Sequence, residues 1–171
     1  TVFCLYWIVS SSAQEKTASS ELLFVEAESF AETGGWKIDQ QSFDVMGSSY
    51  LLAHGMGRPV HDAITTVNFP KTGTYHLWVR TKDWAPFPKG PGKFQVAVAG
   101  QPLEAEFGVS GSDEWQWYYG GETEISNTQV EISLSDQTGF DGRCDALLFT
   151  TDNSFTPPNQ PQVLMNFRRA Q

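Results

Sequence analysis

Short stretches that read as β-strands fix the kind of fold open to this chain. They fall at 22–27, 50–53, 63–69, 74–81, 93–98, 122–125, 129–134 and 145–150, and glycine, proline, asparagine or aspartate separates most of them. No stretch has the 3.6-residue periodicity of an amphipathic helix of three or more turns. Many short strands at near-regular spacing predict an all-β chain, a jelly-roll β-sandwich of the galactose-binding-like kind. The clearest strand is TYHLWVRTKDW at 74–84. Tyr75, Leu77, Val79 and Thr81 form a face suited to the core, while His76, Trp78, Arg80 and Lys82 form the other, with Trp84 past the strand's end. An indole beside a guanidinium on an outer face predicts a cover, either a ligand or more protein. Pro70-Lys71-Thr72-Gly73 predicts a hairpin over 63–81, and Ala99-Gly100-Gln101-Pro102 predicts a second.

Residues 22–152 have the composition of one domain. Ahead of it, the apolar run VFCLYWIV and the small residues Ser10 to Ala13 resemble the end of a secretory signal, so 1–13 reads as a truncated signal peptide and 14–21 as a linker. The run is too short to span a bilayer; the alternative is a buried N-terminal strand. This predicts a secreted or periplasmic bacterial protein with no membrane span in the mature chain. After residue 152, NSFTPPNQPQ is a polar, proline-rich linker, and VLMNFRR reads as the start of a missing downstream domain, together 153–171. The net charge of −9 argues against nucleic acid or an anionic membrane surface as partner, since either calls for a basic patch. With Cys4 in the signal, Cys144 has no disulfide partner.

No catalytic constellation is present, so no catalytic residue is assigned. Hydrolase, zincin, phosphate-loop and dinucleotide motifs are all missing. His54, His61 and His76 share no metal-ligand spacing. His61 with Asp62 reads as an exposed loop pair and Cys144 as a structural thiol. Glu26 and Glu28 end the first strand and Asp145 opens the last; if those strands pair, three hard oxygen ligands meet at one corner, as a structural Ca²⁺ needs. Ordinary surface acidity is the competing explanation. The aromatic run Trp115-Gln116-Trp117-Tyr118-Tyr119 divides between two faces, with one tryptophan expected in the core, and Trp36 is open to either role. Flat rings beside polar groups suit sugars, so Trp78, Arg80, Trp84, Trp117 and Tyr118 are the candidate ligand-binding residues.

Two resemblances follow from these motifs. The succession VEAESF, a glycine-rich stretch, FPKTGTYHLWVR, FQVAVAG and CDALLF is similar to carbohydrate-binding modules of families 6 and 35. That resemblance implies a structural Ca²⁺ held by Glu26, Glu28 and Asp145. FVEAESF, GGWKIDQQ, MGSSYLLAHGMG, HLWVRTKDW, PGKFQVAVAG and TGFDGRCDALLF together resemble the N-terminal domain of secreted FAD-dependent oxidoreductases of Bacteroidetes, which carry xanthan lyase-like or golvesin-like modules. FAD would then belong to a downstream flavin domain and not to this chain.

Three functions remain open. The first is a non-catalytic carbohydrate-binding accessory module for a polysaccharide or oligosaccharide. The second is a docking domain whose Trp78 and Arg80 pack on the flavin domain. The third is a lyase or hydrolase using Asp136 and Asp141, although SDQTGFDGR reads better as a strand connection.

Overall fold

The computed structural model describes residues 20–85 and 90–169; the expected signal peptide at 1–13 and most of the linker at 14–21 lie outside this range. The described strands are β1 (Leu22–Glu26), β2 (Lys37–Asp39), β3 (Tyr50–His54), β4 (Ala63–Asn68), β5 (Gly73–Thr81), β6 (Phe94–Val98), β7 (Gln101–Phe107), β8 (Gln116–Ile125), β9 (Gln129–Asp136) and β10 (Phe140–Thr150). A 3₁₀ turn (Ala27–Ser29) follows β1, a one-turn helix α1 (Phe43–Met46) precedes β3, and helix α2 (Pro161–Arg169) follows the last strand.

Two antiparallel sheets face one another. One has the order β2-β3-β10-β5-β8 with β1 also on β10; the other has the order β4-β9-β6-β7. The long β10 organises the first sheet. On one flank its start pairs with β3 (Cys144 opposite Leu51) and its end with β1 (Ala146 opposite Glu26). On the other flank β5 runs alongside it, Leu147 opposite Val79. First and last strands therefore do pair, and the fold is the predicted jelly-roll-like sandwich.

The core lies between the sheets. Tyr75, Leu77 and Val79 from β5 meet Phe94, Val96 and Val98 from β6, Ile132 and Leu134 from β9, and Leu147 and Phe149 from β10. The alternation of β5 places its apolar set inward as the sequence predicts. Trp36 joins this core, its ring edge-on to Phe94 at 5.6 Å, and so is structural. Gly120 lies where β8 crosses Leu77 and Phe107: a Cβ there would sit 3.0 Å from the Leu77 side chain, so a side chain would push the sheets apart.

One predicted hairpin forms and the other does not. β6 and β7 pair across Ala99–Gly100 as expected. β4 and β5 do not pair: β4 lies on β9 and β5 between β10 and β8, so residues 70–72 cross from one sheet to the other. Ala99 and Gly100, both at positive φ (51° and 73°), close a tight two-residue hairpin, whereas residues 70–72 bridge strands of different sheets.

Candidate functional site

The outer face of the first sheet is covered by the chain's own C-terminal segment. Arg80 is only 2% exposed and Asp145 is fully buried. The Arg80 guanidinium donates to Asp145 Oδ2 at 2.8 Å and, through Nε, to Asn159 Oδ1 at 3.0 Å, and it lies 5.9 Å from the Trp115 ring centroid. Asn159 also donates to the Trp115 carbonyl at 2.7 Å, and Trp117 Nε1 donates to the Pro158 carbonyl at 3.1 Å. Phe155 and Phe167, together with Trp78 and Trp117, pack against Phe24, Ala146 and Leu148. Phe24 and Phe167 stack at 5.6 Å, and Leu164 of α2 is buried. The buried Arg80 and Asp145 charges are paired, the condition for burying a charge, while Trp115 Nε1 is buried without a hydrogen-bond partner. The segment expected to lead away into a downstream domain lies instead on the sheet.

The loop end of the sandwich is built differently. Trp84, 37% exposed, donates its Nε1–H to the Phe140 carbonyl at 2.6 Å. The Arg143 guanidinium sits 5.6 Å from the Trp84 ring centroid. Phe140 and Met56 expose apolar surface beside it, and the His54 ring nitrogen contacts the Asp141 carboxylate. Buried carboxylates hold these loops from beneath. Asp83 Oδ2 accepts the N–H of Gly90 and of Gly111, and Asp136 accepts those of Val60, Thr138 and Gly139. Gly139, at φ +71°, is enclosed by the Arg58 backbone so closely that no side chain fits. Met56 and Asp141 themselves adopt positive φ of 50° and 60°, a conformation that surrounding contacts must impose on residues with side chains. Rigid aromatic and polar groups thus share one surface open to solvent.

A third cluster lies where β1 meets β10. Glu26, Glu28 and Asp145 each offer an oxygen within 4.8 Å of the others. Asp145 Oδ1 accepts from Ser48 Oγ at 2.9 Å, and Arg168 Nε donates to Glu26 Oε1. Glu26 Oε2 and Glu28 Oε2 are buried with no hydrogen-bond partner. Burial, then the charge of Glu26, pushes the Glu28 carboxyl up to about 8; burial also raises that of Glu26 against the pull of Arg168. Orphaned carboxylate oxygens and an all-oxygen donor set fit a hard cation such as Ca²⁺.

The sequence-derived candidates therefore separate. Arg80 is buried and engaged, with no face for a ligand. Trp78 and Trp117 are half-buried beneath or beside the C-terminal segment, Trp78 tilted against the exposed Tyr119 at 5.3 Å, and Tyr118 turns inward to the core. Trp117 borders a shallow depression of about 240 Å³ with Gln116, Thr156, Pro157 and Asn159. Trp84 alone stands at the loop end. Trp115, 6% exposed, packs on Tyr50 and Met46 as the expected structural tryptophan. His54, Met56, Phe140 and Arg143 were not singled out from sequence as companions of Trp84; TGFDGR gave a turn signal but no hint that its phenylalanine would be exposed. Asp136, enclosed by three backbone N–H groups, is a loop anchor and not a free acid. His61 and Asp62 are exposed, as expected of a loop pair. Cys144 is fully buried, and burial, with the charge of Asp145, drives its thiol pKa well upward.

The architecture is that of a carbohydrate-binding-module-like β-sandwich. Neither a protein-family model nor a curated protein matches the chain, but solved structures match its fold. A family 35 carbohydrate-binding module from Clostridium thermocellum superposes with a TM-score of 0.61 at 17% identity over 77% of this chain and 98% of the module. The C-terminal family 6 module of a laminarinase from Zobellia galactanivorans gives 0.56 at 20% identity, over 76% of this chain and 99% of that one. The Podospora anserina β-(1,4)-mannanase that carries a family 35 module gives 0.60 at 19% identity; the match covers 81% of this chain and spans 29% of the enzyme. These likenesses concern the fold. Among the described residues no helix is long and apolar enough to cross a membrane.

Proposed function

We propose that this domain is a non-catalytic carbohydrate-binding module that takes a polysaccharide or oligosaccharide at the loop end around Trp84. The observation that carries the reading is the anchored, solvent-facing indole of Trp84, fixed through its Nε1–H to Phe140 and set among His54, Asp141 and Arg143. An indole face supplies an apolar platform for sugar C–H groups, and the surrounding acceptors and donors match hydroxyls. A platform preorganised by Asp83 and Asp136 loses little freedom on binding, although an open surface of this size gives modest affinity. The fold likeness to carbohydrate-binding modules supports the same conclusion.

Affinity electrophoresis against soluble plant and bacterial polysaccharides, with Ca²⁺ present, tests it. Retardation by at least one polysaccharide, abolished by Trp84→Ala with the fold intact, is the expected result. Failure of every polysaccharide to retard the folded domain would sink the proposal.

The proposal includes a secreted or periplasmic setting and, from the motifs that resemble flavoenzyme front domains, a place ahead of an FAD-dependent oxidoreductase. The docking alternative loses its main support, because the face bearing Trp78 and Arg80 is already occupied by residues 155–168.

A further inference from the structure

We propose that Arg168 and a divalent cation are alternative counter-ions for the Glu26, Glu28 and Asp145 cluster, so that cation binding loosens helix α2 from the sheet. Two oxygens that bind one Ca²⁺ at roughly 2.3–2.6 Å lie at most about 5 Å apart. The oxygens of these three residues meet that limit, all within 4.8 Å. Glu26 Oε2 and Glu28 Oε2 are buried without a donor and are free to turn to an ion.

Arg168 already holds two of the three residues. Its Nε donates to Glu26 Oε1 and its Nη2 lies 3.6 Å from Asp145 Oδ1, while Nη1 donates to the Met46 carbonyl at 3.0 Å. Charge decides the outcome. Three carboxylates face two guanidinium groups, Arg168 here and Arg80 on Asp145 Oδ2. With all three carboxylates ionised, a doubly charged ion added while both arginines stay would leave the set net positive, and the ion and Arg168, like charges at close range, repel strongly where water is excluded. Arg168 makes three hydrogen bonds, to Glu26, the Met46 carbonyl and Ser48 Oγ, against Arg80's two. Arg80, however, is 2% exposed within the sheet, whereas Arg168 is 14% exposed on the last turn of a nine-residue helix whose other holds are Leu164 and Phe167. Arg168 is therefore the group that yields. By linkage, the factor by which removing Arg168 tightens the cation equals the factor by which the cation weakens Arg168's contact.

The test uses the whole chain and CaCl₂, with Ca²⁺ affinity read by titration calorimetry and helix docking by amide hydrogen exchange over 161–169. Arg168→Gln is expected to bind Ca²⁺ at least tenfold more tightly than the unaltered chain, and Glu28→Gln to bind it at least tenfold more weakly. In the unaltered chain, saturating Ca²⁺ is expected to speed exchange over 161–169. Equal affinity with and without Arg168, absence of Ca²⁺ binding by the chain and by Arg168→Gln alike, or slower exchange over 161–169 would each overturn the proposal. If Arg168→Gln fails to fold, the exchange measurement on the unaltered chain decides alone. No readout involves a sugar, so failure here leaves the reading of Trp84 standing.

Discussion

Two places in this molecule set an arginine against a tryptophan at nearly the same distance, and they serve opposite ends. On the outer face of the first sheet the Arg80 guanidinium lies 5.9 Å from the Trp115 ring centroid; at the loop end Arg143 lies 5.6 Å from that of Trp84. Arg80 and Trp115 are 2% and 6% exposed, while Trp84 is 37% exposed. The difference lies in what comes next in the chain. Residues 155–168 fold back over the first pair, with Asn159 accepting from Arg80, whereas nothing among the described residues covers the second. A tryptophan beside an arginine therefore marks neither a core nor a site until its cover is known.

The comparison breaks most decisively if the outer face is not truly closed. Arg80→Ala leaves the buried Asp145 with only Ser48 and the more distant Arg168, and removal of the close partner from a buried ion pair costs about 3–5 kcal/mol. Urea denaturation is expected to show that loss; a loss under about 1 kcal/mol would mean that water reaches Asp145. Leu164→Ala next tests the cover itself. Truncating a fully buried leucine costs about 2–4 kcal/mol, and polysaccharide retardation should survive, since α2 lies away from the loop end. At the open site the balance reverses. Trp84→Ala is expected to cost about 1–2 kcal/mol in thermal or urea unfolding, because the ring contributes mainly a cation–π contact and one hydrogen bond, yet to weaken sugar binding at least tenfold. The smallest expected effect concerns Cys144. With its thiol buried and its ionisation opposed by burial and Asp145, a thiol reagent should label it only after denaturant is added, even at alkaline pH.

What was legible in the sequence follows from range. Period-two alternation is local, so β5 and its inward set could be read from residues 74–81, and the near-regular spacing of short strands led correctly to a jelly-roll sandwich. The pairing of β1 with β10 brought Glu26, Glu28 and Asp145 together as expected. The crossing at 70–72 was misread because PKTG closes a hairpin or a sheet-to-sheet turn equally well. The cover on Arg80 was misplaced for a related reason. NSFTPPNQPQ has the composition of a linker, and only its contacts with Trp117, Arg80 and Trp115 show that Pro158 and Asn159 act as a fitted lid. Arg168, some 120 residues from Ser48 and 142 from Glu26 in sequence, had no local signal at all.

The most direct test of the central claim, that the loop end is open for ligand and the outer face is closed by the chain itself, is amide hydrogen exchange with and without a retarding polysaccharide fragment. Ligand should slow exchange at 54–57, 84–85 and 139–143 and leave 76–80, 117–118 and 155–168 unchanged. Protection confined to 76–80, 117–118 and 155–159 would contradict the account and move the binding surface to the face described here as sealed.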